Sequence, residues 1–195
     1  MSLLLKCGAN VYARDKVRKQ TALHYAALNG HVTVMEALIA AGADINDVDS
    51  SLFTVLHLAA MRNMHECMAF LVNEELIKAV NSHEETALHV AAYRGSVEAA
   101  TVLLTHSKRG INGKNDIGDT PLHKAAANGQ LAMVKALTSY PECRHTNNNL
   151  KRCRTAIEIA AHRGYPDVVE YLNEYFKTRK KSSVVAGEKK CGDCG

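Results

Sequence analysis

The segment Thr-x-Leu-His-x-Ala-Ala occurs at Thr21, Thr54, Thr86 and Thr120, and returns as Thr-Ala-Ile-Glu-Ile-Ala-Ala at Thr155. Successive threonines are 33, 32, 34 and 35 residues apart. A near-constant period of this length marks one supersecondary unit copied along the chain. It restricts the fold to a quasi-linear stack in which each unit touches only its neighbours. Such a stack offers a long face rather than one deep pocket.

Composition narrows the reading further. Hydrophobic residues make up 47% of the chain, enough for a continuous core, while Trp is absent and aromatics reach only 5%. Small apolar residues, Ala above all, must do the packing. The net charge is +4, and most of it falls in the last stretch, at Arg179, Lys180, Lys181, Lys189 and Lys190. The repeats are close to neutral, which argues against direct nucleic-acid binding, because that calls for a basic face. No apolar run approaches the roughly 20 residues of a membrane span. Met1-Ser2-Leu3-Leu4-Leu5 is too short for a secretory leader. The six scattered cysteines are therefore expected to be reduced, in the cytoplasm or the nucleus.

Each unit carries two short apolar patterns of helical period. In the first complete unit these are Leu23, Ala26 and Ala27, then Val32, Met35, Leu38 and Ile39, with Gly30 between them to end the first helix. In the fourth unit Thr120 caps the first helix and Pro121 takes its first position, where a missing N–H costs nothing. Pro166 does the same for the last second helix.

The run Thr120-Pro121-Leu122-His123-Lys124-Ala125-Ala126-Ala127-Asn128-Gly129 resembles the ankyrin repeat, and the likeness covers roughly residues 3–177. It implies an all-α solenoid of stacked helix-turn-helix units joined by β-turn fingers. The units read as a partial one at 3–13, then 14–46, 47–81, 82–114, 115–149 and 150–177, followed by a disordered tail at 178–195. Leu3, Leu4 and Leu5 look like the end of a unit whose beginning is missing. An apolar N-terminal edge and an origin before Met1 are expected.

Departures from the family pattern carry information. The turn usually has Gly two residues before Thr, at a position of positive φ. Gly118 keeps it, but Lys19, Leu52, Glu84 and Cys153 stand there in the other units. A non-glycine residue held there costs on the order of 1 kcal/mol, so irregular or mobile turns are expected. Asn63 replaces the helix-junction Gly of the second unit, a mild change.

Residues that could carry chemistry read as structural. His24, His57, His89 and His123 occupy the repeat's His position, where the ring reaches the Thr hydroxyl and the next turn's backbone. The other histidines lack metal-ligand spacing, and no nucleophile–base pair or phosphate loop is present. Cys191-x-x-Cys194 is half a zinc site, with Cys143, Cys153 and His145 as the conceivable other half; an inert tail is the reading adopted. The basic run at 177–181 reads as a solvated helix end. Asn46, Asn81 and Asn112 read as turn-stabilising residues. No enzyme activity, metal or cofactor is expected.

The resemblance implies that a partner protein is bound on the concave face, by turn tips and exposed first-helix positions. The side chains there are not required by the scaffold. Phe53, Met61, Tyr93 and Ile117 form an apolar strip, with Arg62, Arg94 and Arg163 as a basic row beside it. Glu84, Glu85, Asp116 and Asp119 make the middle tips acidic. Lys16, Arg18, Arg152 and Arg154 make both ends basic, and His83 and Gln20 complete the tips. The contact set is therefore Phe53, Met61, Arg62, His83, Glu85, Tyr93, Arg94, Ile117, Asp119, Arg154 and Arg163. The implied function is a non-catalytic adaptor, scaffold or inhibitor, expected as a monomeric array. The alternative is a fragment of a larger ankyrin-containing enzyme or channel.

Overall fold

A computed structural model describes residues 8–144 and 155–187, with side chains through 179. The described residues form eleven α-helices and one 3-10 turn. The helices are α1 (Ala22–Leu28), α2 (Val32–Ala40), α3 (Val55–Met61), α4 (His65–Leu71), α5 (Glu74–Lys78), α6 (Ala87–Arg94), α7 (Val97–His106), α8 (Pro121–Ala127), α9 (Leu131–Thr138), α10 (Ala156–Arg163) and α11 (Pro166–Gly187). The 3-10 turn, Lys108–Asn112, follows α7. First helices α1, α3, α6, α8 and α10 stack in that order, each against its own second helix. The architecture is the all-α solenoid of helix pairs.

The Ala-Ala pairs explain the close stacking. Ala27, Ala59, Ala60, Ala91, Ala92, Ala125, Ala126 and Ala160 are all completely buried. A methyl group lets neighbouring helices approach, while Leu23, Leu56, Leu88 and Leu122 fill the space between layers. Two pieces of structure escape the periodic reading. Short α5 is capped by Asn73, whose side chain accepts the Leu76 N–H, and Leu76 is buried. The last helix continues to Gly187, ten residues beyond the unit end set at 177. Its extension contains no Pro, and no Gly before Gly187. Leu3, Leu4 and Leu5, the turn with Cys153 and Arg154, and residues 188–195 lie outside the described residues.

Thr-His pairs close α1, α3 and α6 onto the next unit. Nδ1 of His57 accepts the Thr54 N–H and sits 2.8 Å from the Thr54 hydroxyl. The proton therefore rests on Nε2, which donates to the Glu85 carbonyl of the next finger at 2.9 Å. His24 reaches the Phe53 carbonyl and His89 the Asp119 carbonyl in the same way. Burial pushes the His57 imidazole down to about 4, against the help of its carbonyl partner. His24 and His89 are shifted down for the same first reason. These rings are neutral struts.

The turns are more regular than expected. Lys19, Leu52 and Glu84 do adopt positive φ, at 58°, 60° and 54°. Yet the turns still close: Asp49 N–H donates to the Phe53 carbonyl, Asn81 N–H to Glu85, and Asn115 N–H to Asp119. An acceptor side chain holds each described turn from inside. Asn81 Oδ1 takes the N–H groups of His83 and Glu85, and Asn115 Oδ1 takes those of Ile117 and Asp119. Neighbouring fingers are also linked, Ser50 N–H to the Arg18 carbonyl and Ser82 N–H to that of Ser51. Among the described fingers the first is longer by one residue, its turn closing from Asp15 to Gln20.

Candidate binding groove

Between the fingers and the first helices of the middle units lies a groove of about 350 Å³. Its finger side is made by Phe53, His83, Glu85, Asn115, Asp116 and Ile117. Its helix side is made by Met61, Val90, Tyr93, Arg94 and Lys124. Finger and helix residues meet here because each finger leads directly into a capped helix, so the turn tip and the exposed helix face point to one side.

Apolar groups form the centre. Val90 is buried, Phe53, Met61 and Ile117 are half-buried, and Tyr93 is 44% exposed. The Phe53 ring meets the His57 ring edge-on at 5.6 Å, which fixes its orientation against the scaffold. Polar groups frame this centre. Lys124 Nζ lies 2.5 Å from a Glu85 carboxylate oxygen and 5.2 Å from the Tyr93 ring. The Arg94 guanidinium lies 5.7 Å from the same ring. Burial raises the Glu85 carboxyl, but the Lys124 hydrogen bond and charge, with the Asn81 amide, outweigh it and hold the group below its usual value. His83 and Asp116 face each other across adjacent fingers at 3.8 Å.

Seven of the sequence-derived positions thus line one groove: Phe53, Met61, His83, Glu85, Tyr93, Arg94 and Ile117. Arg62 and Arg163 are exposed at the ends of α3 and α10, outside the groove. Asp119 corrects an expectation. It is only 8% exposed, its N–H bonds Asn115 and its carbonyl receives His89, so it belongs to the scaffold rather than the tip. Gln20 is likewise buried, donating to Asp49 of the next finger. Arg154 lies outside the described residues, as do Cys153, Cys191, Cys194 and His145. Cys143 is buried, and burial pushes its thiol up to about 11. Among the described residues no His, Cys, Asp and Glu cluster is arranged to hold a metal ion.

Three lining residues escaped the sequence reading: Val90, Asn115 and Lys124. Val90 and Lys124 are the variable residue after His within the repeated motif itself. That position faces the groove, so the signal lay inside a segment read as pure scaffold.

A family model described as "Ankyrin repeats (3 copies)" matches residues 51–115 and 107–182. A second, "Ankyrin repeats (many copies)", matches residues 23–72. The chain is similar to mouse inversin, 29% identical over 74% of this chain and 17% of inversin. It is similar to a putative ankyrin repeat protein of fowlpox virus, 28% identical over 69% of this chain and 94% of the viral one. It also matches a Caenorhabditis elegans homologue of transient receptor potential cation channel subfamily A member 1, 31% identical over 66% of this chain and 10% of the channel. The chain thus spans less than a fifth of the length of inversin and of the channel. No described helix is long and apolar enough to cross a membrane.

Proposed function

The chain belongs to the ankyrin repeat family, and from that premise we propose that it is a non-catalytic module binding a partner protein in the groove between its fingers and first helices. The observation that carries this reading is the meeting of Phe53, Met61, Tyr93 and Ile117 around one cleft framed by the Glu85–Lys124 pair. Aromatic residues, Met and Arg dominate interface energetics. The stacked backbone holds them in place before binding, so little ordering entropy is lost. On this reading the module is an adaptor, scaffold or inhibitor, working as a monomer in the cytoplasm or nucleus.

A second reading follows from the relatives. The channel and inversin contain a matching array within a much longer chain, so this array could serve as the recognition part of a multidomain protein. Both readings place the partner in the same groove.

Affinity capture with the full chain, paired with a Tyr93→Ala/Arg94→Ala variant, tests the site. Proteins captured by the wild type are lost from the variant while thermal melting is unchanged. Equal capture by both would sink the reading.

A further inference from the structure

Three successive fingers hold a non-glycine residue in the left-handed region, and each residue is exposed: Lys19 (φ 58°), Leu52 (φ 60°) and Glu84 (φ 54°). The fourth finger has Gly118 at the equivalent place, with φ 86°, so the fold itself accepts glycine there. Each side chain strains its backbone by roughly 1 kcal/mol and recovers little by burial. Leu52 is 48% exposed, an apolar group left half in water at a strained position. Backbone strain kept where the scaffold does not need it is a reason to look for function.

The fingers also differ in charge. The first exposes Lys16, Arg18 and Lys19, with Val17 among them, against Asp15, whose carboxylate is engaged by the N–H groups of Val17, Arg18 and Gln20. The second exposes Ser50, Ser51 and Leu52, and no charge. The third exposes Ser82, His83 and Glu84, with Glu85 beside them, whose charge is met by Lys124, and His83 faces Asp116 of the next finger. The order along the array is basic, apolar, acidic.

We infer that Lys19, Leu52 and Glu84 form a three-point reader for an extended segment of a partner protein carrying an acidic, an apolar and a basic residue in that spatial order. This rests on the reading that the finger side of the array binds a partner. Stacked helices are about 9 Å apart, so the outer two points are separated by about 18 Å. An extended chain covers that distance in about 5–6 residues at 3.3 Å each. The apolar residue falls midway, over Leu52 and the adjacent Phe53.

The test presents the full chain with a displayed library of random peptides about 12 residues long, enough to cross three fingers. Retained peptides are then measured on a Lys19→Gly/Leu52→Gly/Glu84→Gly variant, on a Lys19→Glu/Glu84→Lys variant and on Tyr93→Ala. Retained peptides share the acid–apolar–base order at the stated spacing, in one chain direction. The glycine variant binds them at least tenfold more weakly while its Tm is no lower than that of the wild type. The charge-swapped variant prefers the reverse order. Peptides that require Tyr93 but bind the glycine variant undiminished would overturn the inference and leave the groove reading standing. Peptides indifferent to Tyr93 and to the fingers would overturn both. A lower Tm in the glycine variant would refute the strain argument on which the inference stands.

Discussion

Lys124 on α8 places its ammonium 2.5 Å from the carboxylate of Glu85, which belongs to the finger of the preceding unit. The pair ties two units together and sets the floor charge of the groove. Asn81 and Asn115 add amide contacts to the same carboxylate, at 3.2 and 3.5 Å. Lys124→Met leaves that shielded carboxylate without its cation, and should destabilise the array by about 1–3 kcal/mol. Glu85→Gln in the same chain should recover much of the loss, because no uncompensated charge remains. Urea midpoints of the two single variants and the double variant measure this. Simple additivity would show that the pair is not coupled.

Acid should weaken the stack before the carboxylates titrate. His57 falls from 6.5 to about 4 on folding because burial disfavours its charged form. The unfolded chain therefore binds the extra proton first. His57 contributes no penalty above pH 6.5, and stability drops as pH falls from about 6.5 to about 4. For His57 alone the loss reaches about 3 kcal/mol by pH 4. His24 and His89 act in the same direction. Urea midpoints that stay level between pH 7 and pH 5 would contradict this account.

Core and groove substitutions should separate cleanly. Leu122 is 1% exposed between stacked layers, so Leu122→Ala should cost about 2–5 kcal/mol as a cavity. Tyr93, on the open face, should change melting little when truncated. Thermal melts of both variants decide, and comparable losses would place Tyr93 in the core.

The junction glycine of the fourth unit should tolerate nothing larger. Gly129 has φ 65°, and an added Cβ would lie 2.5 Å from Cδ1 of Tyr165 in the next unit. Gly129→Ala should lower Tm by several degrees through strain and clash together. Adding Tyr165→Ala should relieve the clash but not the strain. A double variant with the same Tm as Gly129→Ala would mean that the contact contributes nothing.

The repeated Thr, Leu, His and Ala residues made the helix pairs, their order and the structural role of the His rings legible from the chain alone, because these are local requirements. A cap needs Thr, a close helix contact needs Ala, and a left-handed turn shows itself by the residue that replaces Gly. Thus Lys19, Leu52 and Glu84 could be assigned positive φ before any coordinates. What the period did not reveal depends on contacts between units. The sequence marked Asp119 as a tip, but burial against Asn115 and His89 makes it scaffold. It passed over Lys124, whose partner Glu85 is 39 residues away in sequence. Spacing along one chain fixes what each unit is. Which side chains converge on a groove depends on how one unit stacks on the next, and only the tertiary structure decides that.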